Sequence, residues 1–377
     1  MLAAATRAGP GRFPHDESEE RMSRPTLANP DEETLVGTGD PAPPTPAPEA
    51  PSRVRRGLRT GFDRRQLFLL GTFAVMVVVF VAASPDQFAT WDNVRNGIND
   101  LTVLAILAMA VSVVLFFGEF DLAAPAIAAL AVVTVGVLTT VSGLDAGLAL
   151  VAAVVIVLLV GGGLGTASGA GVAYGKASSF IVTLAVSSVA LGMELFMQAR
   201  IGDGATSVNR IEFPTALLTL TDTRIAGFEL TVILMVVIAI LLWLLLTRSV
   251  FGRYAQAIGG NEAAARLAGI PVERIKVAGF ALGGTLAAVA GLVLAARSGY
   301  FSNAAAPYLL PAYAAAFFGA AAVGRRGFSI PATLFGVLYL QTLSNGLQAL
   351  EQPLWVISVV QGAVLLVTVL LARGRTL

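Results

Sequence analysis

Along most of this chain apolar positions are not interleaved with polar ones; they gather into long runs separated by short polar breaks. Ten runs stand out, at 66–83, 100–117, 122–141, 146–165, 178–197, 228–247, 275–296, 308–324, 329–350 and 354–372. A run of about 20 apolar residues is long enough to cross a bilayer as an α-helix. Helices are required there, because hydrocarbon offers no partner to an open backbone. The pattern predicts an all-α polytopic membrane protein with about ten transmembrane helices.

The basic residues orient these spans, since Lys and Arg concentrate on the cytoplasmic side. With the N-terminus inside, the inner breaks receive Arg53, Arg55, Arg56, Arg59, Arg64, Arg65, Lys176, Arg248, Arg253, Arg266, Arg274, Lys276, Arg325, Arg326, Arg373 and Arg375. The outer breaks receive Arg95, Arg200, Arg210, Arg224 and Arg297. That asymmetry supports an even number of spans with both termini cytoplasmic. The outer breaks carry the acids Asp86, Asp92, Asp145, Asp203, Glu212, Asp222, Glu229 and Glu351, and residues 199–227 form the longest outer connection, a candidate gate or cap.

Composition sharpens the class. The chain is 56% hydrophobic and 13% charged, with a mean hydropathy of +0.77, which is the balance of an integral membrane protein. A net charge of +1 gives no electrostatic reason for a nucleic-acid partner. There is no Cys, and the single His, His15, lies in a polar tail. That inventory leaves no thiolate nucleophile, no Cys or His metal site and no catalytic residue to nominate. Residues 1–60 are rich in Pro, Ala, Glu and Arg, and Pro41–Pro51 favours extended polyproline II. They read as a disordered cytoplasmic tail before a membrane domain over 61–377. Met22 offers an alternative start.

Small residues recur every four positions at Gly161, Gly165 and Gly169, and again at Gly279, Gly283, Ala287, Gly291 and Ala295. Such ladders let helix backbones approach closely in lipid. Phe116-Phe117-Gly118 and Phe317-Phe318-Gly319 form a faint echo, each expected to end a span on the inner side before a helix with an early proline, Pro125 or Pro331. Two phosphate-binding patterns are nearly spelled and fail. Ser168 stands where a dinucleotide fingerprint needs its third Gly, and Ala170 and Ala177 spoil the loop around Gly175-Lys176.

The polar stretch Gly252–Ile270 reads as structured. Asn261 is placed to cap a short helix, and Glu262 sits in its first turn, where the dipole favours an anion. Gly269 is suited to the left-handed end of that helix, and Pro271 blocks continuation. Ala264, Leu267 and Ala268 then share one face. Elsewhere, polar groups at membrane depth are costly and invite a functional reading. Glu119 and Asp121 lie between two runs, either at the inner interface or in a re-entrant break facing a pathway. Asp121 can also cap the helix that follows it. Glu194 either hydrogen-bonds a polyol or snorkels outward. Gln341, Asn345 and Gln348 share one face of the ninth run, lining a path or bonding across helices.

Several segments together resemble one family. GEFDLAAPAIAAL from Gly118, SFIVTL from Ser179, LSNGL from Leu343 and GGNEAAARLAGI from Gly259 occur in the order and spacing of ABC-importer permeases of the ribose/xylose type, whose superfamily includes branched-chain amino-acid permeases. The resemblance covers roughly residues 88–372. Glu119, Leu191 and Gln361 depart from residues common in that family. The resemblance implies a non-enzymatic translocation subunit in the bacterial plasma (inner) membrane, with a sugar or polyol as its cargo. It implies that residues 248–276 form a coupling loop, with Gly259, Gly260, Asn261, Glu262, Arg266, Leu267 and Gly269 meeting a separate ATPase that binds ATP and Mg. It implies a second permease copy, identical or related, and a periplasmic or lipid-anchored solute-binding protein. The candidate path is Glu119, Asp121, Glu194, Gln341, Asn345 and Gln348. Two alternatives stay open: a branched-chain amino-acid permease, and a proton-coupled secondary transporter using Glu119, Asp121 or Glu194.

Overall fold

The computed structural model describes residues 64–141, 144–201, 213, 215–299, 302–323 and 329–373. The tail expected over 1–60, with His15 and Met22, lies outside them, as do Asp203, Arg210, Glu212, Arg325, Arg326 and Arg375. The described residues form α1 (Arg64–Ala83), α2 (Pro85–Phe88), α3 (Trp91–Leu115), α4 (Ala124–Val141), α5 (Ala146–Ala173), α6 (Ser179–Ile201) and α7 (Thr215–Asp222). After a small hairpin come α8 (Leu230–Arg248), α9 (Val250–Gly260), α10 (Glu262–Leu267), α11 (Val272–Ser298), α12 (Leu309–Val323), α13 (Ile330–Ala349) and α14 (Leu354–Arg373), with one 3-10 turn at Ala306–Tyr308.

Each of the ten apolar runs falls on a helix. Five helices are long and apolar enough to cross a membrane by length and composition: α3, α5, α6 over Ser179–Ala199, α8 and α11. Shorter apolar stretches occupy Leu69–Ala83, Ala124–Thr140 and Leu354–Val364. The protein is therefore a multi-pass membrane protein. The full count of ten is softened by α12, whose 15 residues rise only about 22 Å, and by α13, which carries the polar stripe.

Among the described residues the one departure from helix and loop is a two-residue antiparallel pair, β1 (Arg224–Ile225) with β2 (Phe228–Glu229), in the connection expected to be a long loop. Ala226 (φ 53°) and Gly227 (φ 88°) turn it, both left-handed, as a two-residue hairpin loop requires. The same connection holds α7, which buries Leu217.

α3 is the axis of the fold. From Leu101 to Leu115 it is apolar apart from Thr102 and Ser112, every one of these residues is buried, and α4, α8, α11, α12 and α13 pack around it. The small-residue ladders explain how closely the neighbours approach. A Cβ on Gly161 or Gly284 would collide with the other helix, and Gly165 and Gly169 rest on Phe280 and Val277. α5 thus meets α11 backbone to backbone. The second ladder turns to a different side of α11: Gly279 abuts Phe117, Gly283 abuts Val114, and Gly291 abuts Ala128 and Ala131. α12 and α13 use Gly319 and Gly336 in the same way, against the carbonyls of Ala332 and Ala315. The echo between the two Phe-Phe-Gly triplets is not structural. The first closes α3 with Gly118 at φ 76°, whereas the second lies inside α12.

Candidate functional site

The polar stretch after α8 folds into two short helices fixed by local chemistry. Ser249 caps α9 by accepting from Gly252 N, and Gly252 itself fits against the Leu246 carbonyl where a side chain would collide. Gly259 likewise brings α9 onto the Phe116 carbonyl at the end of α3, while Gly260 faces open space. Asn261 ends α9 and starts α10. It is extended (φ −162°, ψ 101°), and its Oδ1 accepts from Ala264 N at 2.9 Å. Gly269 is left-handed at φ 79°, and Ile270 N donates back to the Ala265 carbonyl at 3.1 Å, which satisfies an end carbonyl of the helix. Ala265 turns inward onto Phe117, Ala255, Ile258 and Val272. Ala264, Leu267 and Ala268 are exposed, Leu267 at 91%. The apolar Leu267 side chain is thus held out from a turn capped at both ends.

Behind α10 lies a network of ion pairs. Lys276 belongs to α11, not to the loop, and its side chain is only 6% exposed. Its Nζ donates to Glu119 at 2.6 Å and to Glu262 at 2.7 Å. Arg266 pairs with Glu262 at 3.1 Å and with Glu273. The hydrogen bond from Lys276 is the chief reason the Glu262 carboxyl is held below the usual carboxylate range, with Arg266 adding to it. These groups and Lys176 line a cavity of about 270 Å³. Glu119, a candidate path residue by sequence, thus sits in the cluster behind α10. Lys276 was not singled out by sequence, since a lysine at a span end reads only as an orienting charge.

Between α3 and α4 the backbone is irregular from Phe116 to Ala123, and four side-chain oxygens satisfy its N–H groups. Phe120 N donates to Ser179 Oγ (3.2 Å), Asp121 N to Tyr313 Oη (2.8 Å), Leu122 N to Thr183 Oγ1 (3.1 Å) and Ala123 N to Asp121 Oδ1 (2.9 Å). A Cβ added to Gly283, in the middle stretch of α11, would lie 3.7 Å from Asp121 Oδ2, so the break reaches well along that helix. Irregular backbone is tolerated at such depth only when its polar groups are met by protein. Asp121 is buried, and its Oδ2 has no hydrogen-bond partner among the described residues. Ser179 and Thr183, quoted above only as part of a motif, are the acceptors that hold this break.

The remaining candidates lie toward the other ends of the helices. Glu194 is buried and accepts from Asn303 N at 2.7 Å, pinning a left-handed turn (φ 56°). Gln341 Nε2 donates to Asn345 Oδ1 at 2.9 Å, and Gln361 Nε2 donates to Ser344 Oγ at 2.7 Å. Asn345 and Gln348 line a cavity of about 180 Å³ with Gln87 of α2 and Asn93, Asn96 and Asp100 of α3, so two of the three stripe residues meet a polar face on α3. Close by, Arg297 at the end of α11 pairs with Asp100 and Glu229. Glu229, read from sequence as an acid of the outer loops, is instead buried, accepting from Thr231 Oγ1 at 3.2 Å while its N–H donates to Asn99 Oδ1.

Residues 93–369 match the family model described as branched-chain amino acid transport system / permease component. The chain is 34% identical over 309 residues to the ribose import permease protein RbsC of Bacillus subtilis, covering 81% of this chain and 92% of that protein. It is 31% identical over 299 residues to the protein of the same name in Haemophilus influenzae, covering 78% and 89%. It is 28% identical over 340 residues to the L-arabinose ABC transporter permease protein AraH of Azospirillum brasilense, covering 88% and 94%. No solved structure gives a significant match.

Proposed function

The chain belongs to the branched-chain amino acid transport system / permease component family, and from that premise we propose that it forms the membrane path of an ATP-driven importer for a sugar or polyol. As a member it is a translocation subunit and performs no covalent chemistry on its cargo. The observation that carries the proposal is α10: a short helix, capped at both ends, that holds Leu267 out at 91% exposure while Glu262 in its first turn is tied to Lys276 of α11.

In this reading α9 and α10 face the cytoplasm, both termini are cytoplasmic, and about ten helices cross the bacterial plasma membrane. A separate ATPase subunit, holding ATP and Mg, seats on Ala264, Leu267 and Ala268, and a second permease copy completes the path. A soluble or lipid-anchored binding protein delivers cargo to the opposite face. A polyol is supported by the amide and carboxylate lining of the cavity between α3 and α13, where Asn93, Asn96, Asn345 and Gln348 offer paired donors and acceptors suited to hydroxyl groups. The printed names of the relatives, which specify ribose and L-arabinose, point the same way. The family description favours a second reading, a branched-chain amino acid as cargo. A proton-coupled carrier keeps one of its three candidate carboxylates, Asp121 with its Oδ2 unpartnered among the described residues, since Glu119 and Glu194 are engaged by Lys276 and by Asn303 N.

The test is transport by the permease co-expressed with its genomic neighbours and reconstituted in vesicles, with labelled pentoses, hexoses, polyols and leucine as candidate cargoes. ATP-dependent accumulation of one of the polyhydroxyl compounds is expected. Accumulation of leucine alone would move the chain to the second reading. Accumulation driven by a proton gradient without the ATPase would overturn both.

A further inference from the structure

Lys276 is the point at which three separate segments meet. Its own helix, α11, is clamped to α5 through Gly161, Gly165 and Gly284. Its two carboxylate partners come from elsewhere: Glu262 from α10, and Glu119 from the break between α3 and α4. An ammonium only 6% exposed is costly unless paired, and the two carboxylates together offset that cost. Glu119 is two positions before Asp121, whose N–H is held by Tyr313 of α12, and the following N–H groups bind Thr183 and the Asp121 carboxylate itself. A displacement of Glu119 therefore acts directly on the backbone that begins α4.

The other contacts between this region and the break are packing: Gly259 against the Phe116 carbonyl, and Phe251, Ala255, Ile258 and Ala265 around Phe117. Packing of this kind pushes well and pulls weakly. The ion pair can do both. Resting on the importer reading above, we propose that Lys276 is a positioning residue of the transport cycle: it ties α10 to Glu119, so that movement of α10 by the ATPase is carried in both directions into the break at Glu119–Ala123. The partner groups of Arg266, Glu262 and Glu273, keep α10 rigid enough to pass that movement on.

The test follows backbone amides by hydrogen exchange in the permease–ATPase complex in lipid nanodiscs, with and without a non-hydrolysable ATP analogue and Mg. In the native chain the nucleotide should alter exchange both at Ala263–Leu267 and at Phe120–Ala123, the latter by roughly fivefold or more, the low end of ordinary allosteric coupling. In Glu119→Gln, which keeps size and removes the charge, the response at Phe120–Ala123 should vanish while that at α10 persists. Lys276→Met should behave likewise, and Lys276→Arg should restore the response. Exchange within the α3 core serves as the check that each variant is folded, and Glu119→Gln decides if Lys276→Met does not assemble. An undiminished response in the break of Glu119→Gln would overturn the proposal. So would a native chain that responds at α10 and not at Phe120–Ala123. A native chain that responds at neither place would instead sink the importer reading on which the proposal rests.

Discussion

Lys276 and Arg297 stand near opposite ends of α11, about 32 Å of helix apart, and each is held between two carboxylates supplied by other elements. The separation is about the thickness of a bilayer's hydrocarbon core. One helix thus carries a cationic hub near either end. The Arg297 hub is the simpler to test, because Glu229 is 11% exposed at its side chain and depends on Arg297 for its counter-charge. Arg297→Gln should lower thermal stability in detergent by about 2 kcal/mol, the range for a charged hydrogen bond lost from a partly buried site. A melting curve unchanged from the native protein would show that the pair contributes nothing.

The contact between α5 and α11 leaves no room for a methyl group at Gly165. Gly165→Ala should therefore cost about 1–3 kcal/mol as the helices are forced apart. Gly163, one turn-face away, has nothing within 4 Å of an added Cβ. Gly163→Ala should be neutral or stabilising by up to about 1 kcal/mol through helix propensity. Equal melting temperatures for the two variants would contradict the packing described.

The break between α3 and α4 depends on borrowed oxygens. Thr183→Val keeps shape and removes the acceptor for Leu122 N. The expected cost is about 1–3 kcal/mol for a buried donor left without a partner. Faster exchange of the Leu122 amide, with α3 unaffected, is the specific signature.

Leu267→Asp should leave folding intact, since the side chain is 91% exposed, while association with the ATPase weakens by about tenfold or more as an interface anchor is lost. Ala265→Asp, only two positions away, faces the cluster of Phe117 and Ile258 and should destabilise α10 itself. Glu262→Arg is a poorer probe of docking than the sequence alone suggests. It would set a third cation beside Lys276 and Arg266 and so disturb the cluster directly. Co-purification of the ATPase with each variant, at matched expression, checks these outcomes.

Because Lys276 and Arg266 hold the Glu262 carboxyl below the usual range, the contribution of Glu262 is present above the unfolded Glu value of about 4.3 and is lost as pH falls through its lower folded value. Protection of the α10 amides should be flat from neutral pH down to that region and decline only below it. A decline centred near pH 6 would point to a different group.

How much of this was legible beforehand depends on the range of the interaction. α10 was readable because its determinants are local: Asn261 at the start, Gly269 and Pro271 at the end. The ladder at Gly161, Gly165 and Gly169 was readable because it is periodic, although nothing in it names the partner helix. The pairing of Lys276 with Glu119 was invisible, since it joins positions 157 residues apart across the bundle. The role of Glu229 was misread for the same reason: its counter-charge lies on α11, and in sequence it is simply an acid outside a span. The hairpin at Arg224–Glu229 gave little signal because Ala226, not Gly or Asn, occupies a left-handed position. α5 ran on past 165 to Ala173 because its glycines and alanines continue to pack on α11 where polarity alone suggested an end.

At Gly259 the backbone of α9 rests on the Phe116 carbonyl with no side chain between them. Two surfaces pressed so closely have no compliant layer across which to glide. Any side chain at 259 would act as a wedge: its Cβ would collide with that oxygen, so α9 would have to lift off the end of α3 to admit it.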